Sequence, residues 1–245
     1  VEASRAGAVG EAGAPSGPGR GWGDARSAGA RRRAPARNGP AALTGTAHVG
    51  PEDPSPWLAL LALMHTCAVP VRDAVPVWTE AVDRAPWLRT AHHRLLRYLS
   101  PRGHGTVPDM MDFAWQAAAR APQGSPLALL PVAARVELMA HRQDAAPLDA
   151  LGSGGGNWHE PRAVHEIDLA LGNWFDAGTA PHAEAVTDLN ILAFALTRAH
   201  RPVETAPVFR RLGRHMTRHP WDLLPEPDRT FAYWRKRAAD GRGRT

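Results

Sequence analysis

A ten-residue pattern that returns 36 residues later constrains this chain more than any other feature. Residues 77–86 read Val-Trp-Thr-Glu-Ala-Val-Asp-Arg-Ala-Pro, and residues 113–122 read Phe-Ala-Trp-Gln-Ala-Ala-Ala-Arg-Ala-Pro. Both copies end in Arg-Ala-Pro, and proline cannot continue a helix. Helices that close in the same way at an interval of about 20–50 residues are typical of stacked helical hairpins, which bury their apolar faces against one another. The repeat therefore predicts a helical array.

Hydroxyl residues placed just before prolines mark the starts of several helices. A serine or threonine side chain caps the first turn, and proline fits there because the first N–H groups of a helix have no partner within it. Asp109 adds an acidic group three residues after Thr106, as in a capping box. The cap pairs are Ser55 with Pro56, Thr106 with Pro108, Ser125 with Pro126 and Thr179 with Pro181.

Apolar residues recur at the spacing of a helix, most clearly at Val186, Leu189 and Leu192. No segment of the sequence sustains the two-residue alternation of a strand, so the predicted fold class is all-α. The nine predicted helices lie near residues 57–68, 71–84, 88–99, 108–121, 126–142, 161–176, 182–199, 203–218 and 226–239.

Composition divides the chain into a tail and two helical segments. Residues 1–56 contain almost no aliphatic side chains, so they bury too little surface to offset chain entropy, and we expect a disordered tail. A glycine-rich run at 152–156 predicts a flexible linker between a first set of hairpins, 57–151, and a second set, 157–240. The pattern leaves open whether the helices form one solenoid or two packed bundles.

The repeated pattern resembles the second helix of a tetratricopeptide repeat, in which a small residue precedes a helix-ending proline by five positions. Ala81 with Pro86 and Ala117 with Pro122 fit that relation. A later segment departs from it, because His215 stands where the small residue belongs. The resemblance covers about residues 70–142 and 182–222. It implies an array of antiparallel helical hairpins, tetratricopeptide-like or of a more general α-solenoid type, with an extended binding surface.

The chain contains one cysteine, Cys67, and its longest apolar run spans residues 57–64. A single cysteine excludes an internal disulfide and is consistent with a reducing cytoplasm. We interpret it as a small buried residue at the end of a helix. The apolar run is much shorter than the roughly 20 residues that cross a bilayer, so we expect a cytoplasmic protein without a membrane span.

Positive charge is concentrated towards the C-terminal end. The formal net charge is +5, and residues 201–245 hold eleven basic and five acidic side chains, whereas residues 57–200 hold eleven and fourteen. A helical wheel over 203–218 places four arginines on one outer face, and two more follow on the next helix. Such a face would neutralise phosphates or bind an acidic partner, although a merely solvated helix face has the same pattern. The candidate basic face consists of Arg210, Arg211, Arg214, Arg218, Arg235 and Arg237.

Two pairs of histidines are candidate metal ligands. His215 and His219 are four residues apart, a spacing at which two imidazoles can bind one zinc ion. On the predicted helix they follow the apolar stripe, and no glutamate completes a His-Glu-x-x-His pattern, so we interpret them as packing residues. His159 and His165 are six residues apart and fall on opposite sides of a helix. The sequence also contains no nucleophile, base and orienting acid at spacings that would bring them together. We therefore predict no metal, cofactor or catalytic residue.

These observations favour a non-enzymatic protein-protein interaction or scaffold module of unknown process. The alternative is nucleic-acid or acidic-partner binding through the basic C-terminal helices, with Tyr233 and Trp234 able to stack on bases or to close the core. An enzyme with a site near Trp158, His159 and Glu160 is a third class that no motif supports. Most tryptophans are expected to pack between helices, namely Trp57, Trp78, Trp87, Trp115, Trp174 and Trp221.

Overall fold

The computed structural model describes residues 50–145, 157–178 and 182–240, and these ranges contain helices and turns but no strand. The all-α prediction is therefore confirmed. The α-helices of these ranges are α1 Ser55–Thr66, α2 Val71–Arg84, α3 Arg89–Leu99, α4 Val107–Arg120, α5 Leu130–Ala145, α6 Pro161–Ala170, α7 Ala185–Arg198, α8 Pro202–Leu212, α9 Arg218–Trp221 and α10 Pro227–Asp240. A 3-10 turn at Pro126–Leu129 leads into α5, and a π-helical turn at Leu171–Phe175 follows α6.

Neighbouring helices pack in pairs, and alternate helices also touch. Helix α1 contacts α2 and α3, α3 contacts α5, and α5 contacts α7, so four alternate helices are in successive contact. Helix α8 packs against both α7 and α10. The core is built from aliphatic and aromatic side chains of these contacting faces, among them the fully buried Leu95, Leu130, Leu192 and Phe194. Burial of these apolar surfaces is the main favourable contribution to folding.

The two copies of the repeated pattern end helices in the same way. Arg84 is the last residue of α2 and Arg120 the last residue of α4, and an alanine follows each as the C-cap. The backbone N–H of Ala85 donates to the carbonyl of Ala81 at 3.1 Å, and Ala121 makes the equivalent bond. The proline that follows each alanine cannot extend the helix, because its ring and its missing N–H disrupt the next turn.

The predicted caps are found at two helix starts. The hydroxyl oxygen of Thr106 accepts from the backbone N–H of Asp109 at 3.3 Å, while the hydroxyl itself donates to the Asp109 carboxylate at 2.7 Å. The Ser125 hydroxyl oxygen accepts from the N–H of Leu127. At α1 the cap differs, because Ser55 is the first helical residue and its N–H donates to the carboxylate of Asp53.

The helix predicted at 203–218 is wrong in its second half. Helix α8 ends at Leu212, because Gly213 turns the chain with φ 64° and its N–H donates to the carbonyl of Phe209 at 2.8 Å. Positive φ is accessible to glycine at little cost and strained for other residues. His215 therefore lies in a loop, and His219 lies in the short helix α9, so the two do not share a helix face.

Cys67 is exposed rather than buried, because it follows the last turn of α1 where the chain leaves the packed helices. None of the described helices has the length and apolar character that crossing a membrane requires. The predicted linker at 152–156 and the predicted cap at Thr179 lie outside the described residues. The same holds for residues 1–49 of the predicted tail, whereas 50–56 are described and already include the start of α1.

Candidate interaction surface

Charged side chains gather in two places, a groove beside α3, α5 and α7 and the outer surface of α8 and α10. We call the first the central groove. It has a volume of about 500 Å³, and its lining includes the arginines Arg89, Arg94, Arg97 and Arg102 and the glutamates Glu137 and Glu184. Three of these residues, Arg89, Arg94 and Arg97, belong to α3, and the first and last of them lie about two turns apart on its face towards the groove. The pairing of these charges decides what the groove can do.

The first arginine of the central groove is neutralised from within the fold. The Nε of Arg89 donates to both carboxylate oxygens of Asp188 at 3.1 and 3.0 Å, and its Nη2 also donates to that carboxylate. Asp188 is fully buried, and Glu184 lies 3.7 Å from the same guanidinium. Burial raises the pKa of Asp188, and the guanidinium of Arg89 opposes that rise.

Two histidines also face the Asp188 carboxylate. The Nε2 atom of His182 is 3.5 Å from Oδ2, and the Nε2 atom of His93 is 4.0 Å from Oδ1. Burial, together with the nearby Arg89 cation, lowers the pKa of His93 well below its usual value. Its imidazole is therefore neutral at physiological pH. Within the described ranges, no three His, Cys, Asp or Glu side chains converge in a way that could hold a metal ion.

Two further arginines of the central groove are bound by the protein itself. Arg102 donates from Nε to the Asp144 carboxylate at 2.7 Å and lies 3.8 Å from Glu137. Arg94 donates to the backbone carbonyl of Leu58. Because most of its charge is paired internally, we interpret the central groove as a set of contacts that join helices rather than as a surface left open for a charged partner.

A second internal network uses the glutamates of the His-Glu pairs. Arg135 of α5 donates from Nε to Glu166 at 2.5 Å and from Nη1 to Glu160 at 2.5 Å. Their histidine neighbours are engaged elsewhere, since His165 stacks on Trp115 and His159 stacks on His200. Trp158 is buried beneath the Arg135 guanidinium. In the region of residues 158–160, Glu160 therefore belongs to an ion pair and Trp158 belongs to the core.

The six arginines of the predicted basic face are all exposed, but they do not lie on one helix. Arg210 and Arg211 occupy the last turn of α8, and Arg235 and Arg237 lie on α10. The predicted single-helix face of four arginines is wrong because Gly213 ends α8. Arg214 consequently extends from the loop between α8 and α9, and Arg218 is the first residue of α9.

These cations differ in what they contact. Arg218 lies 3.6 Å from the Asp222 carboxylate, Arg211 stacks over the Phe175 ring at 4.4 Å, and Arg237 lies over Trp234 at 5.8 Å. Apart from Arg218, none of the six arginines has a carboxylate of a described residue within 4.0 Å, and the same is true of the neighbouring Lys236. We define the basic surface as the exposed cations of α8, its following loop and α10 that have no such carboxylate: Arg210, Arg211, Arg214, Arg235, Lys236 and Arg237.

A shallow groove between α8 and α10 brings two members of the basic surface together. It has a volume of about 380 Å³ and is lined by Arg210 and Arg235 with a floor of small and apolar residues, namely Ala206, Phe209, Gly213, Ala238 and Ala239. We call it the α8/α10 groove. Aromatic packing holds its two helices together, because the rings of Phe209 and Phe231 lie 5.3 Å apart. Sequence reasoning did not find this groove, since it depends on how α10 packs against α8.

One buried amide fixes the loop that carries Arg214. Asn190 of α7 accepts from the indole Nε1 of Trp221 at 2.8 Å and donates to the backbone carbonyl of His215 at 2.9 Å. Both Asn190 and Trp221 are fully buried. The sequence analysis missed this residue, and the signal that could have found it is a lone asparagine inside the apolar stripe of α7, because buried polar groups are nearly always hydrogen-bonded.

The chain matches no protein-family model, and no curated protein or solved structure is significantly similar to it.

Proposed function

We propose that this protein is a non-enzymatic protein-protein interaction module, built as a tetratricopeptide-like array of antiparallel helical hairpins and acting in the cytoplasm. Two features support the array. Helices α1, α3, α5 and α7 are in successive contact, and α2 and α4 end with the same Arg-Ala-Pro pattern. Stacked helical hairpins bury their faces against neighbours and leave extended surfaces for partners.

The observation that carries the proposal is the basic surface. Its six cations are exposed, and no carboxylate of the described chain lies within ion-pair distance of any of them. Arg89, Arg102 and Arg135, by contrast, are each held by two carboxylates of the fold. Exposed cations that no carboxylate of the described residues neutralises are available to steer and bind a partner of opposite sign.

The non-enzymatic part of the proposal is supported by how the ionisable groups are used. Beside the central groove the buried Asp188 is held by Arg89, and the pKa of His93 is lowered well below its usual value mainly by burial. A general base needs a pKa near the working pH and access to a substrate proton. The region around Glu160 is likewise occupied by an ion pair with Arg135.

The test compares partner capture by the full chain and by two charge-reversed variants. The first replaces three cations of the basic surface, Arg210→Glu, Arg214→Glu and Arg235→Glu. The second replaces three exposed arginines elsewhere, Arg72→Glu, Arg120→Glu and Arg142→Glu, and so makes the same change in net charge. The same partner should be retained from nuclease-treated lysate by the wild type and the control at moderate salt. Retention by the first variant at wild-type level would overturn the proposal.

Nucleic-acid binding by the same surface is the second candidate, and one ring favours it. Tyr233 is 56% exposed on α10, and its hydroxyl oxygen accepts from Arg237 at 3.4 Å. An exposed ring beside a guanidinium is an arrangement on which bases stack. Binding to a single-stranded oligonucleotide that falls steeply with salt and is lost on Tyr233→Ala would establish this candidate. Unchanged binding by Tyr233→Ala would remove it.

A further inference from the structure

We infer that the α8/α10 groove binds an acidic segment of a partner protein, with carboxylates of that segment on Arg210 and Arg235. This inference rests on the interaction function proposed above and names the chemistry of its partner. It follows from the groove's shape, from the signs of the charges that line it and from the absence of an exposed ring in it.

The shape suits a peptide segment. Ala206, Gly213 and Ala239 add almost no side-chain bulk to the floor, so a peptide backbone can approach α8 and α10 closely. The volume of about 380 Å³ lies at the lower end of the range of roughly 300–1,000 Å³ for ligand clefts. It accommodates a few side chains of an extended or helical segment, whereas a nucleic-acid duplex is far too wide to enter.

The charge of the α8/α10 groove has one sign. Arg210 and Arg235 reach it from different helices, and no acidic residue of the described ranges lines it. The central groove contrasts with it, because Glu137 and Glu184 line that groove among the arginines. A guanidinium presents a planar fork of donors that matches the two oxygens of a carboxylate, so each arginine can accept one acidic side chain.

The aromatic content favours a protein partner over single-stranded nucleic acid at this position. Among the described residues, Phe209 is the one aromatic side chain that lines the α8/α10 groove, and it is only 2% exposed. Bases bound without sequence preference stack on exposed rings, and the described lining of this groove contains none. Tyr233, the exposed ring on α10, does not line the groove. Carboxylates that engage guanidiniums need no such platform.

The experiment measures binding of a fluorescein-labelled (Glu-Ala)6 peptide to the full chain by anisotropy, with (Gln-Ala)6 and the oligonucleotide dT12 as comparison probes. We expect (Glu-Ala)6 to bind at least tenfold more tightly than (Gln-Ala)6. The variant Arg210→Glu/Arg235→Glu should lose at least tenfold in affinity. The control Arg120→Glu/Arg142→Glu, with the same change in charge, should change less than twofold.

A second variant separates shape from charge. Ala239→Trp fills the α8/α10 groove at an exposed position without altering charge, and it should also weaken (Glu-Ala)6 binding at least tenfold. Circular dichroism and the melting temperature of each variant confirm that the fold is kept. The inference would be overturned if the groove pair and the control pair lost the same affinity for (Glu-Ala)6, or if Ala239→Trp lost none. It would also be overturned if dT12 bound more tightly than (Glu-Ala)6 and its binding were weakened by the same groove substitutions.

The outcome for the groove is distinguishable from the outcome for the interaction function. If Arg210→Glu/Arg235→Glu and Ala239→Trp bind (Glu-Ala)6 as the wild type does, while the triple variant with Arg214→Glu loses its captured partner, the interaction function stands and the groove assignment fails. If the triple variant keeps its captured partner while both groove variants lose the peptide, the groove binds acidic segments but is not the surface that recruits the partner.

Discussion

Arg89 and Asp188 meet as a guanidinium fork on a fully buried carboxylate, although 99 residues separate them in the chain. The pair joins α3 to α7 beside the central groove. The His93 and His182 imidazoles face the same carboxylate. Because a buried charge is costly unless it is paired, α3 and α7 can hold this carboxylate only when they are packed together.

Replacing Asp188 should therefore be strongly destabilising. Asp188→Ala leaves the nearly buried Arg89 without its main counter-charge, and breaking a buried pair in this way costs about 3–5 kcal/mol. Urea unfolding followed by tryptophan fluorescence measures the loss. The exposed pair of Glu226 and Arg229, whose atoms lie 3.2 Å apart, provides the control, since Glu226→Ala should cost less than about 1 kcal/mol. Similar losses in the two variants would contradict the buried pairing.

His93 should make the fold sensitive to acid. Burial lowers its pKa in the folded chain well below the usual 6.5, so below about pH 6.5 the unfolded chain takes up a proton that the folded chain does not. Stability therefore falls as pH falls. Replacing His93 by glutamine should reduce the loss of stability between pH 7.5 and pH 5.5 by about 1 kcal/mol. The exposed His215→Gln is the control, and an equal reduction there would show that His93 is not responsible.

Gly213 should resist substitution more than its exposure suggests. Its φ of 64° and ψ of −122° are strained for a residue with a side chain, so Gly213→Ala should destabilise the protein by about 1–3 kcal/mol. At Gly172, φ is not positive and a Cβ would meet nothing within 4 Å, so Gly172→Ala should be close to neutral. Thermal unfolding of the two variants tests the difference. A neutral Gly213→Ala would show that α8 does not end by this turn.

Asn190 should be intolerant of an apolar replacement of similar size. Asn190→Leu leaves both the Trp221 indole N–H and the His215 carbonyl without their partner, at a cost of about 1–3 kcal/mol for each buried unsatisfied group. Because the same amide fixes the loop, the variant should also increase hydrogen exchange in residues 213–217. A destabilised variant with unchanged exchange in that loop would contradict its role in holding Arg214 in place.

Features set by neighbouring residues could be predicted from the sequence. The Thr106 cap with Asp109 depends on groups three residues apart, and the helix-ending Arg-Ala-Pro pattern depends on proline geometry. The signal that ends α8 is also local, since a glycine after an apolar helix commonly stops it. The arginines beyond Gly213 continue the helical spacing, however, and so favoured a longer helix. The exposure of Cys67 was missed because burial depends on where the chain goes after the helix.

Features set by distant residues could not be predicted. Nothing in the sequence pairs Arg89 with Asp188 or Arg135 with Glu166, because each contact requires two helices to be placed first. The basic surface was only partly visible for the same reason. The individual arginines were exposed as expected, whereas the α8/α10 groove between Arg210 and Arg235 exists only through the packing of α10 on α8.

The separation of Arg89 from Asp188 has a consequence for synthesis on the ribosome. Asp188 is the ninety-ninth residue after Arg89, and at roughly 5–20 residues per second the ribosome takes on the order of 5–20 s to reach it. During that interval the groove-facing side of α3 has emerged without its counter-charge. The synthesis time between Arg135 and Glu166 is only about a third as long, because Glu166 follows 31 residues later. The contacts between α5 and α6 can therefore close first, and the α3 to α7 contact is the later event of vectorial folding.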